Sequence, residues 1–253
     1  GLEVLRRAAE INIDIIDYIV VGTDSNIEND FSEQIIELAQ NANIKFFMQG
    51  EEPIPDTEKY IFAISWRWII NHPVDKLIVF HDSLLPKYRG FAPLVNMLIN
   101  GEKNIGVTAL FGASEYDKGN IILQKSSKID YPIKICEAID LNIENYISLA
   151  EEIISVLLDG KELKGIIQDE NEATYSIWRD EGDYRIDWSK SSDEIKRLID
   201  AVGYPYSGAI TSTSKGERIR ILDAEIIDDV FCEVRHTGKV IFINKGLPSV
   251  ICG

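Results

Sequence analysis

The feature that most constrains this chain is the alternation of short, continuous apolar runs with helix-like segments. The runs at Asp17–Gly22, Lys59–Ser65 and Leu77–Phe80 are rich in β-branched and aromatic residues, as in strands that are buried on both faces. Amphipathic patterns separate them, for example at Phe31–Ala42 and Phe91–Asn100. This alternation predicts an α/β fold with a doubly wound, mostly parallel sheet.

The pattern changes near residues 159–165, a polar and glycine-containing stretch that follows a predicted helix at Ile135–Leu158. We therefore predict a first domain at 1–160 and a smaller, β-rich, OB-like domain at 161–253. The chain begins on a helical pattern, whereas folds of this class begin on a strand, so we expect that a first strand is missing. The second domain should hold one helix and four short strands, at Ser192–Ala201, Gly208–Ser212, Ile219–Ile227, Gly238–Ile243 and Ser249–Cys252.

Ligands of open α/β sheets bind outside the carboxyl ends of the strands, which here directs attention to the residues after Phe80 and after Phe111. His81 comes directly after a buried strand and precedes a loop shaped by Pro86 and Gly90. A histidine there is suited to acid–base work. From position alone, a core histidine bonded to a carbonyl is the more frequent alternative.

A second acidic, turn-rich segment runs from Gly112 to Asn120 and contains Asp117. Asp117 is able to orient a histidine, although an aspartate that caps a turn is equally common. Lys87 and Arg89 are candidate phosphate or carboxylate ligands, or else ordinary charges of a solvated loop. The aromatic and branched residues of Trp66–Ile70 could wall a flat heterocycle, although core packing explains such residues more often.

Composition excludes several classes of function. The 26 Lys and Arg against 42 Asp and Glu give a formal charge of −16, which argues against a nucleic-acid partner. The three cysteines and three histidines are dispersed, so we predict no metal site. No apolar run is long enough to span a bilayer and no signal sequence is visible, so we expect a cytoplasmic protein without a membrane partner.

The segment His81-Asp-Ser-Leu-Leu-Pro-Lys-Tyr-Arg-Gly90 resembles the signature loop of the formyltransferase family that uses 10-formyltetrahydrofolate. Further stretches agree in order from about Ala63 onwards, namely Gly106–Thr108, Tyr116–Asn120, Gln168–Tyr175, Ile186–Trp188 and Tyr204–Ala209. This resemblance implies a Rossmann-like catalytic domain, 10-formyltetrahydrofolate as formyl donor and transfer of a one-carbon unit to an amine.

By the same resemblance, His81 matches the family's catalytic histidine and Asp117 its catalytic aspartate. The implied donor-binding residues are Ile69, Ile70, Ser83, Leu84, Leu85, Pro86, Tyr116 and Gly119, and the implied acceptor-binding residues are Lys87, Tyr88, Arg89 and Gly90.

The chain departs from the family pattern at Val79, where the family has an asparagine that helps to hold the developing oxyanion. Val79 has no side-chain donor. Either protonated His81 serves alone, or Ser83 or a backbone N–H substitutes, or the protein binds without transferring. We favour the first two readings, because a complete loop would be unnecessary in an inactive protein.

For the acceptor we expect a nucleotide-linked amino sugar, as used in polysaccharide biosynthesis, with Tyr204 or Tyr206 adding contacts and a homodimer as the assembly. The acidic charge speaks against methionyl-tRNA, which remains the alternative. Two further rivals are hydrolysis of formyltetrahydrofolate and non-catalytic binding of folate or a sugar nucleotide.

Overall fold

The computed structural model describes residues 1–23, 29–51 and 56–253. The helices are α1 (Leu2–Asn12), α2 (Ser32–Asn41), α3 (Pro93–Asn100), α4 (Ile135–Leu158) and α5 (Ser192–Ala201). The strands are β1 (Tyr18–Val21), β2 (Lys45–Met48), β3 (Ile61–Ile64), β4 (Leu77–His81), β5 (Arg89–Gly90), β6 (Asn104–Phe111), β7 (Ile121–Lys128), β8 (Tyr175–Ser176), β9 (Ala209–Ser212), β10 (Arg218–Ile221), β11 (Val240–Asn244) and β12 (Leu247–Val250). The predicted α/β class with a smaller β-rich C-terminal part is confirmed.

The central sheet has the order β3–β4–β6–β7 and is mixed rather than mostly parallel. β3 and β4 are parallel, whereas β6 runs antiparallel to both of its neighbours, β4 and β7. Register pairs His81 with Thr108 and Ile78 with Phe111. The carboxyl end of β6 therefore lies beside the start of β4 and not beside His81, contrary to the expectation that both loops leave the same edge.

One face of the central sheet is covered by helices α1 and α4. Ile78 and Phe80 of β4 join a buried apolar cluster with Val4 of α1 and with Tyr146 and Leu149 of α4. The Phe80 and Tyr146 rings stack with centroids 5.8 Å apart. Because side chains alternate across a strand, Val79 and His81 face the opposite side, which these helices leave open.

β1 and β2 form a parallel pair of their own. Within the described residues no strand ladder joins β1 to β3. Side chains connect the two sheets instead, since the Lys59 ammonium lies 2.6 Å from Asp17 Oδ1. The expectation of an additional first strand stays a prediction.

The C-terminal part forms two hairpins, β9–β10 and β11–β12, and the described residues do not close into a barrel. Its helix α5 packs on the catalytic part, because Ile195 and Ile199 share a buried cluster with Leu94 and Leu98 of α3. Apolar packing thus crosses the predicted boundary at residue 160, which itself stays a prediction. Across these described ranges, no helix is both long and apolar enough to traverse a membrane.

Candidate active site

His81 ends strand β4 on the open face of the sheet and is 8% exposed. Its Nε2 lies 2.8 Å from the carbonyl oxygen of Tyr88. Since a carbonyl only accepts, Nε2 carries a proton in this arrangement. On the other side of the ring, Nδ1 lies 3.5 Å from Asp117 Oδ1, an ion-pair distance rather than a hydrogen bond. Nδ1 is therefore the nitrogen available for proton transfer.

Asp117 lies in the loop between β6 and β7 with a positive φ of 57°, a conformation that aspartate tolerates better than most residues. Its Oδ2 accepts a hydrogen bond from the backbone N–H of Gly90 at 2.8 Å. Gly119, two residues later, has no room for a side chain, because a Cβ there would lie 1.7 Å from the Phe111 carbonyl oxygen. The loop thus starts at the far end of β6 and still brings its carboxylate to His81.

The loop after His81 lies against the open face of the sheet. Thr108 on β6 donates its hydroxyl hydrogen to the Ser83 carbonyl at 2.6 Å and accepts from the Leu85 N–H at 3.1 Å. Gln124 on β7 donates to the Leu85 carbonyl at 2.8 Å. Ser83 is fully buried and donates its own hydroxyl to the Lys87 carbonyl at 2.7 Å. This corrects one expectation, since the Ser83 hydroxyl is not available to an oxyanion.

Arg89 and Gln168 connect the loop that follows His81 with the loop that contains Asp117. The Gln168 carboxamide oxygen accepts from Arg89 Nε and Nη2 at 3.1 and 2.8 Å. Its nitrogen donates to the carbonyls of Asp117 and Gly119 at 2.7 and 2.8 Å. Both lone pairs and both hydrogens of this carboxamide are used, so the geometry of the junction is well defined.

The guanidinium of Arg89 is also paired with the exposed Glu170, at 2.8 Å. This pairing raises the pKa of Arg89 and lowers the pKa of Glu170. The Arg89 side chain is only 1% exposed, so it contacts other residues of the site and not solvent. The expectation that it binds a substrate phosphate is corrected by this placement.

Tyr88 is held by the segment that follows α4. Its N–H donates to Thr174 Oγ1 at 2.9 Å, and the next N–H, of Arg89, donates to the Thr174 carbonyl at 2.9 Å. The Tyr88 hydroxyl donates to Glu102 at 2.6 Å. Its backbone has a positive φ of 60°. These contacts fix the carbonyl that orients His81, so Tyr88 contributes through its backbone.

The remaining predicted residues differ in exposure. Ile69 is 89% exposed and Tyr116 72%, whereas Leu85 is buried, and Ile70, Leu84, Pro86 and Gly90 are half-buried. Lys87 is exposed, and its ammonium has no ion pair with any residue in the described ranges. Of the predicted cations, Lys87 is therefore the one that is free to meet a substrate.

Asp82 follows His81 and lies close to the Tyr146 hydroxyl on the helix-covered side. Burial raises the pKa of the Asp82 carboxyl, and the nearby charge of His81 acts in the opposite direction. Burial, followed by the charge of Asp82, raises the pKa of Tyr146. A partly desolvated carboxyl group thus lies next to His81 without facing the open side.

Several supporting residues had no role assigned from sequence. Gln168 and Thr174 belong to a stretch that resembles the family, yet nothing in that stretch indicates which loop each one touches. Phe91 was predicted only as the first residue of a helix, and the sequence assigned no role to Trp178. Among the residues that the structure describes, no cluster of histidine, cysteine and carboxylate side chains is arranged to hold a metal ion.

Comparison with known proteins identifies the family of this chain. The family described as "Formyl transferase" matches residues 60–137, and "Formyl transferase, C-terminal domain" matches residues 180–253. The methionyl-tRNA formyltransferase of Syntrophomonas wolfei is 30% identical over 223 residues, covering 86% of this chain and 70% of that protein. That of Alkaliphilus oremlandii is 33% identical over 187 residues, covering 73% of this chain and 58% of that protein.

Solved structures share the fold at lower identity. HypX from Aquifex aeolicus in complex with tetrahydrofolic acid has a TM-score of 0.64 at 16% identity, covering 93% of this chain and 42% of that one. WlaRD, a sugar 3N-formyl transferase solved in the presence of dTDP and 5-N-formyl-THF, has a TM-score of 0.64 at 21% identity, covering 83% and 78%. At these identities the likeness concerns the fold alone.

Proposed function

Because this chain belongs to the formyl transferase family, we propose that it moves a formyl group from 10-formyltetrahydrofolate to the amine of a nucleotide-linked amino sugar, with His81 and Asp117 as catalytic residues. The observation that carries this proposal is the approach of His81 Nδ1 to Asp117 Oδ1 at 3.5 Å. Two distant parts of the chain converge there, and both side chains are largely buried.

In the proposed reaction, His81 Nδ1 accepts a proton from the acceptor amine as the amine nitrogen bonds to the formyl carbon. Nε2 stays bonded to the Tyr88 carbonyl and keeps the ring oriented. The resulting imidazolium lies beside Asp117, whose negative charge stabilises it. The proton then passes to the leaving nitrogen of tetrahydrofolate as the old carbon–nitrogen bond breaks.

Fewer hydrogen-bond donors are available to stabilise the oxyanion than in the family pattern. Val79 shares the open face with His81 but offers no hydrogen, and the Ser83 hydroxyl is committed to Lys87. The backbone N–H groups of Tyr88, Arg89 and Gly90 are also engaged, with Thr174 and Asp117. The positive charge of the His81 imidazolium is therefore the stabilising group that we assign.

We place the donor ring near Ile69 and Ile70, which follow β3. The exposed Ile69 and the half-buried Leu84 offer apolar surface for a flat heterocycle. Leu84 packs over β6, where its Cδ2 would lie 2.6 Å from a Cβ at Gly106.

Two observations support a small phosphorylated acceptor. The formal charge of −16 repels long polyanions, and the exposed ammonium of Lys87, in the loop that follows His81, can meet a single diphosphate. A second candidate acceptor is methionyl-tRNA, which the names of the curated relatives favour. Fold likeness to the sugar 3N-formyl transferase WlaRD at 21% identity does not decide between the two.

The test is an assay of formyl transfer with two acceptor panels, nucleotide-linked amino sugars and methionyl-tRNA, read by mass gain. His81→Asn and Asp117→Asn should each lower the rate by about 10²–10⁴-fold, the usual contribution of a general acid–base group. The exposed His236→Asn is the matched control and should leave the rate unchanged.

Unimpaired transfer by His81→Asn would refute the mechanism, and transfer to methionyl-tRNA alone would reverse the choice of acceptor. Formate released without any amine would indicate hydrolysis.

A further inference from the structure

Three exposed aromatic side chains, Phe91, Tyr116 and Trp178, meet beside the catalytic carboxylate, and we call them the aromatic corner. The ring centroids of Phe91 and Trp178 are 5.4 Å apart with planes at 77°, and those of Phe91 and Tyr116 are 6.5 Å apart. The side chains are 44%, 72% and 56% exposed in the order Phe91, Tyr116, Trp178. Large apolar rings exposed together on a surface usually mark a binding site.

The aromatic corner is fixed to Asp117 through the backbone. Tyr116 directly precedes Asp117, and Phe91 directly follows Gly90, whose N–H binds Asp117 Oδ2 at 2.8 Å. Trp178 follows β8, which pairs with β5, and the Phe91 N–H donates to the Ser176 carbonyl at 3.1 Å. A ligand held by these rings would therefore lie at a defined distance from the reacting groups.

The order of strands separates the aromatic corner from the surface assigned to the donor. β3 lies on one side of β4, and β6 and β7 lie on the other. Ile69 and Ile70 follow β3, whereas Tyr116 belongs to the loop between β6 and β7. Tyr116 was expected to bind the donor, but its ring centroid lies 6.5 Å from that of Phe91, in a loop that does not adjoin β3.

We propose that the aromatic corner is the subsite that stacks the nucleobase of the acceptor. Aromatic side chains bind the flat faces of bases by stacking with little dependence on sequence. Both candidate acceptors carry such a ring, either in the nucleotide of an amino sugar or in the terminal adenosine of an aminoacyl-tRNA. The assignment rests on the proposed function for the meaning of "acceptor", but binding of a base is measurable without turnover.

The test uses calorimetric titration of the whole chain with thymidine diphosphate, uridine diphosphate, adenosine monophosphate and, separately, 5-formyltetrahydrofolate. Trp178→Ala and Phe91→Leu should each weaken nucleotide binding by roughly 5- to 150-fold, the range of base–aromatic stacking. Their affinity for 5-formyltetrahydrofolate should stay within about twofold of the unmodified chain. Phe231→Ala removes another ring, 89% exposed in the C-terminal part, and is the matched control.

The outcomes separate this inference from the proposed function. Nucleotide binding that depends on the corner, without formyl transfer, would sustain the subsite and refute the activity. Formyl transfer with nucleotide affinity unaffected by either variant would overturn the subsite. Loss of folate binding alone would assign the rings to the donor and would also overturn the subsite.

Preference for the diphosphates points to a nucleotide sugar, and preference for adenosine monophosphate points to a tRNA end. Thermal melting of Phe91→Leu, the milder change, checks that a lost affinity does not come from unfolding.

Discussion

The side chains of Gln168 and Arg89 share two hydrogen bonds, in which Arg89 Nε and Nη2 both donate to the Gln168 carboxamide oxygen, at 3.1 and 2.8 Å. Through its nitrogen the same carboxamide holds the carbonyls of Asp117 and Gly119. One side chain, 6% exposed, thus sets the spacing between the loop that follows His81 and the loop that bears Asp117.

Gln168→Glu tests this spacing. The carboxylate still accepts from Arg89, but it cannot donate to the carbonyls of Asp117 and Gly119. A buried polar group without its partner costs about 1–3 kcal/mol. We expect kcat to fall about tenfold or more with little change in KM, and the unfolding temperature to fall by a few degrees. Asn171→Ala, an exposed change in the same segment, should leave both unaltered. An unchanged kcat would mean that the junction does not position Asp117.

Gly119→Ala should disrupt the same loop by sterics alone. The new Cβ would lie 1.7 Å from the Phe111 carbonyl oxygen, so the backbone must move and Asp117 with it. We expect a loss of about 1–3 kcal/mol in the free energy of unfolding, as for other overpacked sites, and a lower kcat. Chemical denaturation and initial rates measure the two effects. Ser114→Ala, exposed in the same loop, is the control, and equal behaviour of the two variants would contradict the steric argument.

Val79→Asn would restore the hydrogen-bond donor that the family pattern has two residues before the histidine. Removal of one oxyanion donor costs about 10²–10³ in kcat elsewhere. A donor introduced among unadapted neighbours should recover part of that, and we expect about a tenfold rise in kcat. Val79→Leu controls for the altered packing on β4. A rate no higher than that of Val79→Leu would mean that the charge of His81 already suffices.

Asp82 should make stability depend on pH in a defined direction. Burial raises the pKa of its carboxyl above the usual 3.8, so folding penalises the ionised form. That penalty is absent below the unfolded-state pKa and complete once the pH exceeds the raised pKa of the folded state. Asp82→Asn should therefore raise the unfolding temperature at pH 7, with a gain that shrinks towards pH 3. The exposed Asp130→Asn should show no such gain, and a lower unfolding temperature for Asp82→Asn at pH 7 would contradict the argument.

Much of the fold follows from periodicity. The bounds of α4 and α5 agree with the predicted Ile135–Leu158 and Ser192–Ala201, because long amphipathic repeats specify a helix strongly. The direction of β6 did not follow, since a buried strand reads the same whether its neighbour is parallel or antiparallel. His81 was visible as a histidine at the end of a buried strand, whereas the proximity of Asp117 depends on a loop path that spacing cannot give.

Arg89 shows the limit of reading charge from a loop. An arginine beside glycine and lysine looks solvated, but its partners, Gln168 and Glu170, are far along the chain, and nothing local indicates that they enclose it. The aromatic corner could not be predicted from local sequence either. Phe91 and Trp178 come from distant segments, which the pairing of β5 with β8 brings together.

The pairing of β5 with β8 has a consequence for synthesis of the chain. Residues 168–176, which hold Asp117 and Tyr88 in place, lie beyond α4 and beyond the boundary at residue 160 that the sequence suggests. A growing chain emerging from the ribosome presents His81 long before the segment that orients it. Until Ser176 has emerged and β8 has docked on β5, the nascent polypeptide carries His81 and Asp117 without the contacts that orient them.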